Sequence, residues 1–151
     1  MLKGIDPLLS PELLQILAAM GHGDTLAIAD ANFPGTSTAR RLVRLDGADA
    51  PRALAAVLSV LPLDSFVALP AAVMAVIGDP GSVPPVVEEF RQVVQRSGEL
   101  VSAFEVLDRH AFYERAAAAF AIVMTGERRF YGNIILTKGV VPPPADPASA
   151  L

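Results

Sequence analysis

The chain has 151 residues, enough for one domain with a substantial core. Its formal net charge is -4, from 16 acidic and 12 basic residues, and no basic stripe appears, which argues against nucleic-acid binding. It contains no cysteine, so disulfides, thiolate metal sites and a cysteine nucleophile are excluded.

Hydrophobic residues make up 52% of the chain and mean hydropathy is +0.46, high for a domain of this size. The longest apolar stretches, 66–77 (broken by Pro70) and 116–124, fall short of the ~18 residues a membrane-spanning helix needs. The apolar excess is therefore expected to lie between copies of a homo-oligomer. The first 14 residues carry Lys3, Asp6, Pro7, Pro11 and Glu12, not the apolar core of a secretion signal, and a cytoplasmic location is expected.

In chain order, Ser10-Pro11-Glu12 has the form of a helix start, followed by an apolar stripe that stops at Gly21. Thr25–Ala29 reads as a short buried strand ending near Asp30. Asn32-Phe33-Pro34-Gly35 reads as a loop and Leu42–Leu45 as a second strand. A helix is predicted over 50–61, and a strand interrupted at Pro70 over 66–77. Gly78-Asp79-Pro80-Gly81 is a turn signal. The segment 84–96 predicts an amphipathic helix closed by Gly98, and 101–107 a strand. A helix over 110–119, a strand over 120–125 and a last strand over 131–136 follow. Alternating strands and helices imply a single α/β layered domain over 1–141. The proline-rich tail 142–151 can neither pair in a sheet nor form a helix, and a mobile terminus is expected there.

Few residues stand out chemically. His22 lies between two glycines, at a helix end and before a strand. Its ordinary pKa near 6.5 suits proton exchange at neutral pH. A helix cap followed by a surface histidine is the plain alternative. Asp30 follows an apolar strand, where carboxylates often face ligands, although a turn-capping aspartate is equally consistent. Arg109 precedes a helix and can present a hydrogen-bonding fork to hydroxyls, or simply be solvated. Tyr131 and Asn133 are two residues apart, so in an extended strand they share a face. The two histidines, His22 and His110, have no supporting metal-ligand motif, and no P-loop or dinucleotide glycine pattern is present.

Taken together, the motifs resemble one family. The run from Ile5 through Pro7, Ser10 and Pro11 to Leu14, then Met20-Gly21-His22-Gly23-Asp24 and Asp30-Ala31-Asn32-Phe33-Pro34, is similar to the L-fucose mutarotase and D-ribose pyranase family. So are Ala111-Phe112-Tyr113-Glu114-Arg115-Ala116, Thr125-Gly126-Glu127, Tyr131-Gly132-Asn133-Ile134-Ile135-Leu136 and Lys138-Gly139-Val140. The resemblance spans residues 1 to about 141. It implies an α/β fold in a ring-based assembly, commonly a decamer, with a sugar pocket near subunit contacts. It also implies a proton donor at His22 and sugar contacts at Asp30, Arg109, Tyr131 and Asn133.

One position departs from the fucose-type pattern and another separates the branches. Asn32 stands where fucose-type members often have histidine. Arg109 matches the fucose type, whereas ribose-type members tend to have histidine. The resemblance thus implies interconversion of the anomers of a free monosaccharide, L-fucose favoured over D-ribose. Ring opening needs a proton on the ring oxygen and loss of the anomeric hydroxyl proton, and no metal or organic cofactor is expected. His22 is the expected acid/base, Asp30 is expected to orient it or hold a hydroxyl, and Tyr131 is a second candidate proton carrier. D-ribose pyranase and a non-catalytic sugar-binding protein are the rival readings.

Overall fold

The structure is a computed structural model that describes residues 1–145. Helix α1 (Pro11–Ala19) begins where the Ser10 hydroxyl accepts the Leu13 amide at 3.2 Å, with Pro11 in its first turn. Strand β1 (Thr25–Ala29), the short helix α2 (Gly35–Thr38) and β2 (Leu42–Leu45) follow. Helix α3 (Ala50–Leu58) is capped by Asp49, whose carboxylate accepts the Arg52 amide at 2.8 Å. Then come β3 (Ala71–Met74), α4 (Pro85–Ser97) and β4 (Glu105–Leu107). Helix α5 (Arg109–Ala118) is capped by Asp108, which accepts the Ala111 amide at 2.9 Å. Strands β5 (Ala121–Thr125) and β6 (Ile134–Thr137) complete the domain.

The six strands form one sheet in the order β2-β5-β1-β6-β3-β4. The pairs β2–β5, β5–β1 and β3–β4 are parallel, while β6 runs antiparallel to both its neighbours, β1 and β3. Both faces are covered. Leu26 and Ile28 of β1 pack in the core that holds Leu13 and Leu17 of α1, Leu54 and Val57 of α3, and Phe90 of α4. Ala27 and Ala29 face a smaller core built on Phe33, Phe112 and Ala116. Burial on both faces explains why β1 and β5 are continuous apolar runs without alternation.

Several predicted boundaries shift. The interrupted strand at 66–77 is a strand only over Ala71–Met74, because the residues before Pro70 form turns. The strand predicted over 101–107 is confined to Glu105–Leu107. The loop after Phe33 contains α2, too short to leave a periodic pattern. Tyr131 precedes β6 in a left-handed backbone conformation, φ 64°, so it is not part of a strand. Residues 142–145 form neither helix nor strand, and the rest of the proline-rich tail lies outside the described residues. Among the described residues no helix is long and apolar enough to cross a membrane.

This topology brings the carboxyl ends of all five parallel-running strands, and the amino end of β6, to one edge of the sheet. Arg109 reaches that edge because Asp108 starts α5 directly after β4. Removing this cap with Asp108→Ala should cost ~1 kcal/mol of stability. A lowered urea midpoint, measured at fixed protein concentration, is the expected result; an unchanged midpoint would show the cap to be dispensable.

Candidate functional site

An open cavity of about 220 Å³ lies at the carboxyl edge of the sheet. Its polar wall is Asp30, Asn32, Arg109, Tyr113, Tyr131 and Asn133, and its apolar wall is Phe33, Met74, Ile77 and Phe130. Four of the five sequence-predicted site residues therefore converge: Asp30, Arg109, Tyr131 and Asn133.

Asp30 and Asn133 hold each other. The Asn133 amide donates to Asp30 Oδ2 at 2.9 Å, and the Asp30 backbone N–H donates to Asn133 Oδ1 at 2.8 Å. Asp30 Oδ1 also accepts the Asn32 amide at 3.0 Å. Both side chains are buried, Asp30 at 5% exposure. Burial pushes the Asp30 carboxyl above its ordinary value, opposed by the hydrogen bonds from Asn32 and Asn133. The result is a strong acceptor at the cavity wall, fixed in direction.

Tyr131 is aimed by its unusual backbone, a conformation that costs on the order of 1 kcal/mol for a residue with a side chain. Its phenol oxygen accepts the Ile77 amide at 3.1 Å, so its own proton is left to donate elsewhere. Arg109 sits over Tyr113, the guanidinium carbon 5.3 Å from the ring centre, and Phe33 meets Tyr113 edge-on at 5.2 Å. The cavity thus offers an acceptor, an amide, a cation, a phenol and aromatic faces, which is what polyhydroxylated rings with one apolar side require.

His22 is elsewhere. It precedes β1, and Asp30 follows it. Five strand residues at roughly 3.3 Å each put the two ends about 17 Å apart. The His22 turn is held by its neighbours: the Gly21 amide donates to Asp24 Oδ2 at 2.7 Å, and the Gly23 amide to the Lys138 carbonyl at 2.9 Å. Lys138 Nζ donates to the Leu17 and Met20 carbonyls at the end of α1. His22 Nε2 lies 3.1 Å from Asp64 Oδ1. Asp64 is nearly buried, whereas the His22 side chain is 47% exposed. The Phe66 amide, and then His22 itself, hold the Asp64 carboxyl below its ordinary value, so Asp64 stays anionic. An anion at Nε2 fixes the proton there and leaves Nδ1 as the free nitrogen of the neutral ring. The Phe66 ring flanks the imidazole, with centroids 5.6 Å apart.

The partner of His22 within the chain is thus Asp64 and not Asp30, which was expected to orient it or hold a hydroxyl. Asp64 had no motif to mark it: it follows the short segment Leu61-Pro62-Leu63 and reaches His22 through the isolated bridge between Leu63 and Lys138. Tyr113 and Phe33 lay inside recognisable motifs, but only the packing of α5 against the loop after β1 turns them toward the cavity.

Comparison with known proteins gives the chain's relatives. Residues 3–141 match the RbsD / FucU transport protein family. The chain is 48% identical to the fucose mutarotase of Homo sapiens over 146 residues, 93% of this chain and 94% of the human one. The crystal structure of the fucose mutarotase from Streptococcus pneumoniae in complex with L-fucose superposes with a TM-score of 0.87 at 44% identity, covering 93% of this chain and 100% of that one. Bacillus subtilis RbsD, complexed with D-ribose, shares the fold, with a TM-score of 0.72 at 23% identity over 94% of this chain and 100% of that one. On the match along 139 positions and the identity to full-length relatives, the chain belongs to the RbsD / FucU family.

Proposed function

We propose that the protein is an isomerase, a fucose-type mutarotase that interconverts the α and β anomers of a free monosaccharide. The observation that carries this reading is the convergence of Asp30, Arg109, Tyr131 and Asn133 on one cavity of monosaccharide size. The human and streptococcal relatives, named fucose mutarotases, support it. Asp30 and Asn133 take sugar hydroxyls, Arg109 donates a fork to oxygens, and Tyr131 offers its phenol proton.

The cavity of one chain lacks the Asp64-supported histidine. A second copy supplies it. Exposed apolar side chains flank both halves: Phe66 and Val67 beside His22, Ile77 and Phe130 at the cavity rim. Joining the two edges covers these side chains and brings an imidazole to the sugar. Closed rings, with a decamer as the assembly implied by the family resemblance, satisfy such contacts without leaving open ends. A cytoplasmic location is part of the same proposal.

In this site the anomeric hydroxyl gives up its proton as the bond between C1 and the ring oxygen breaks. The ring oxygen receives a proton, leaving an open-chain aldehyde. Rotation about C1–C2 and the reverse transfers close the other anomer. His22 carries one transfer through Nδ1, with Asp64 stabilising the imidazolium, and Tyr131 carries the other through its phenol. The groups exchange roles in the reverse direction, and the chemistry calls for no cofactor.

His22→Ala should lower anomer exchange by at least about a hundredfold, and Asp64→Asn by about tenfold, with both variants folded. Saturation-transfer NMR on the anomeric protons of L-fucose measures this; exchange at the wild-type rate in His22→Ala would remove the histidine from the mechanism. Arg109→His tests the sugar. A guanidinium fork and an imidazole contact different hydroxyl geometries, so exchange of L-fucose should fall more than that of D-ribose. Equal losses on both sugars would show that Arg109 does not select between them.

A further inference from the structure

The segment Thr125-Gly126-Glu127 matches the family pattern, yet none of its side chains lines the cavity. Thr125 and Glu127 instead bond to the backbone on either side of Asp30, and Gly126 to the segment before α3. The Thr125 hydroxyl donates to the Ala29 carbonyl at 2.8 Å and accepts the Glu127 amide at 3.2 Å, joining the ends of β5 and β1. The Gly126 amide donates to the Ala48 carbonyl at 2.7 Å, and a Cβ at Gly126 would overlap the Asp46 carbonyl oxygen. The Glu127 carbonyl accepts the Ala31 amide at 2.8 Å, directly after Asp30.

The Glu127 carboxylate is 3% exposed. Its short bonds go to one residue: Oε1 accepts the Arg129 amide and Nε, each at 2.9 Å, and Oε2 accepts Arg129 Nη2 at 2.9 Å. Its bond to the Ala50 amide, at the start of α3, is longer at 3.4 Å. The loop toward Tyr131 is therefore its main partner and the helix cap a secondary one. Arg129 continues to Glu89 of α4 at 2.5 and 3.2 Å, anchoring the loop to a helix on the far face. The stem of Glu127 also touches the site backbone. A Cβ at Gly132 would lie 2.6 Å from Glu127 Cγ and 3.4 Å from Asp30 Cβ, so Gly132 is wedged between them. Gly132 is the residue between Tyr131 and Asn133.

We propose that Glu127 is a positioning residue for anomer exchange, holding the Tyr131–Asn133 turn against Asp30 through Arg129 and Gly132. This rests on the mutarotase reading for its kinetic consequence, though not for its structural one. Tyr131 keeps a left-handed backbone only while the loop on its amino side is clamped, and the clamp is the buried carboxylate. Relaxation of that turn moves the phenol off the Ile77 amide and away from the sugar.

The kinetic test is a double-mutant cycle read by saturation-transfer NMR. Glu127→Gln keeps the shape of the side chain and removes its charge. It should lower kcat by about tenfold in the native background, with KM changed by less than about threefold, and by less than about twofold when added to Tyr131→Phe. Losses that simply multiply would mean that Glu127 supports the fold and not Tyr131, and would overturn the proposal. A second readout needs no activity. The chain has two tyrosines and no tryptophan, so in a Tyr113→Phe background Tyr131 is the sole phenol. Adding Glu127→Gln should collapse the near-ultraviolet circular dichroism of that phenol while the far-ultraviolet spectrum stays unchanged. An undiminished phenol signal overturns the proposal, even if no sugar is exchanged by the wild-type protein and the mutarotase reading has itself failed. Should Glu127→Gln not fold, Arg129→Met removes the clamp from the half-exposed side and must give the same loss of signal.

Discussion

The reciprocal pair between Asp30 and Asn133 is the interaction on which the site depends. It ties the carboxyl end of β1 to the amino end of β6, the one strand that runs against its neighbours. A buried carboxylate without partners would be costly; here three donors and acceptors of Asn133 and Asn32 satisfy the Asp30 side chain and backbone. A hydrogen bond to a charged group of this kind contributes ~1.5–3 kcal/mol. The same bonds orient the carboxylate that faces the cavity, so stability and the proposed sugar recognition draw on one feature. Replacing either partner leaves the other buried and unmatched.

A second constraint follows from the strand between the two halves. Strand β1 is central, buried on both faces and rigid, and it keeps Asp30 and His22 at opposite edges of the sheet. No local rearrangement closes a gap of about 17 Å along an intact strand. The histidine pairs with Asp64, and Asp30 pairs with Asn133 at the cavity, each half held by its own bonds. A site divided in this way makes activity a property of the proposed assembly. It also gives the exposed Phe66, Ile77 and Phe130 a common explanation as contact surface.

Much of this was legible in the residues. Caps at Ser10 and the closure of α4 at Gly98 are local chemistry, and they mark helix ends wherever they occur. The buried strands β1 and β5 appear as apolar runs because both faces are covered. The cavity residues Asp30, Arg109, Tyr131 and Asn133 were found through motif and resemblance, although their grouping into one wall is tertiary. Two things were not legible. Tyr131 and Asn133 share the cavity through a left-handed turn clamped by Glu127, not through strand alternation, and nothing local to Tyr131-Gly132-Asn133 marks that clamp. The association of His22 with Asp64 depends on the bridge between Leu63 and Lys138, a contact spanning half the chain.

The division of the site between copies is the central claim, and subunit mixing tests it most directly. His22→Ala and Asp30→Asn each disable one half of every site in their own oligomers. Mixed oligomers, formed by coexpression or by unfolding and refolding the two together, contain some sites with an intact histidine facing an intact aspartate. Random mixing leaves one site in four fully native, so the account predicts recovery of about a quarter of wild-type anomer exchange from two nearly inactive parents. If mixed oligomers form and exchange stays at the level of the parents, both halves act within a single chain and the account is wrong.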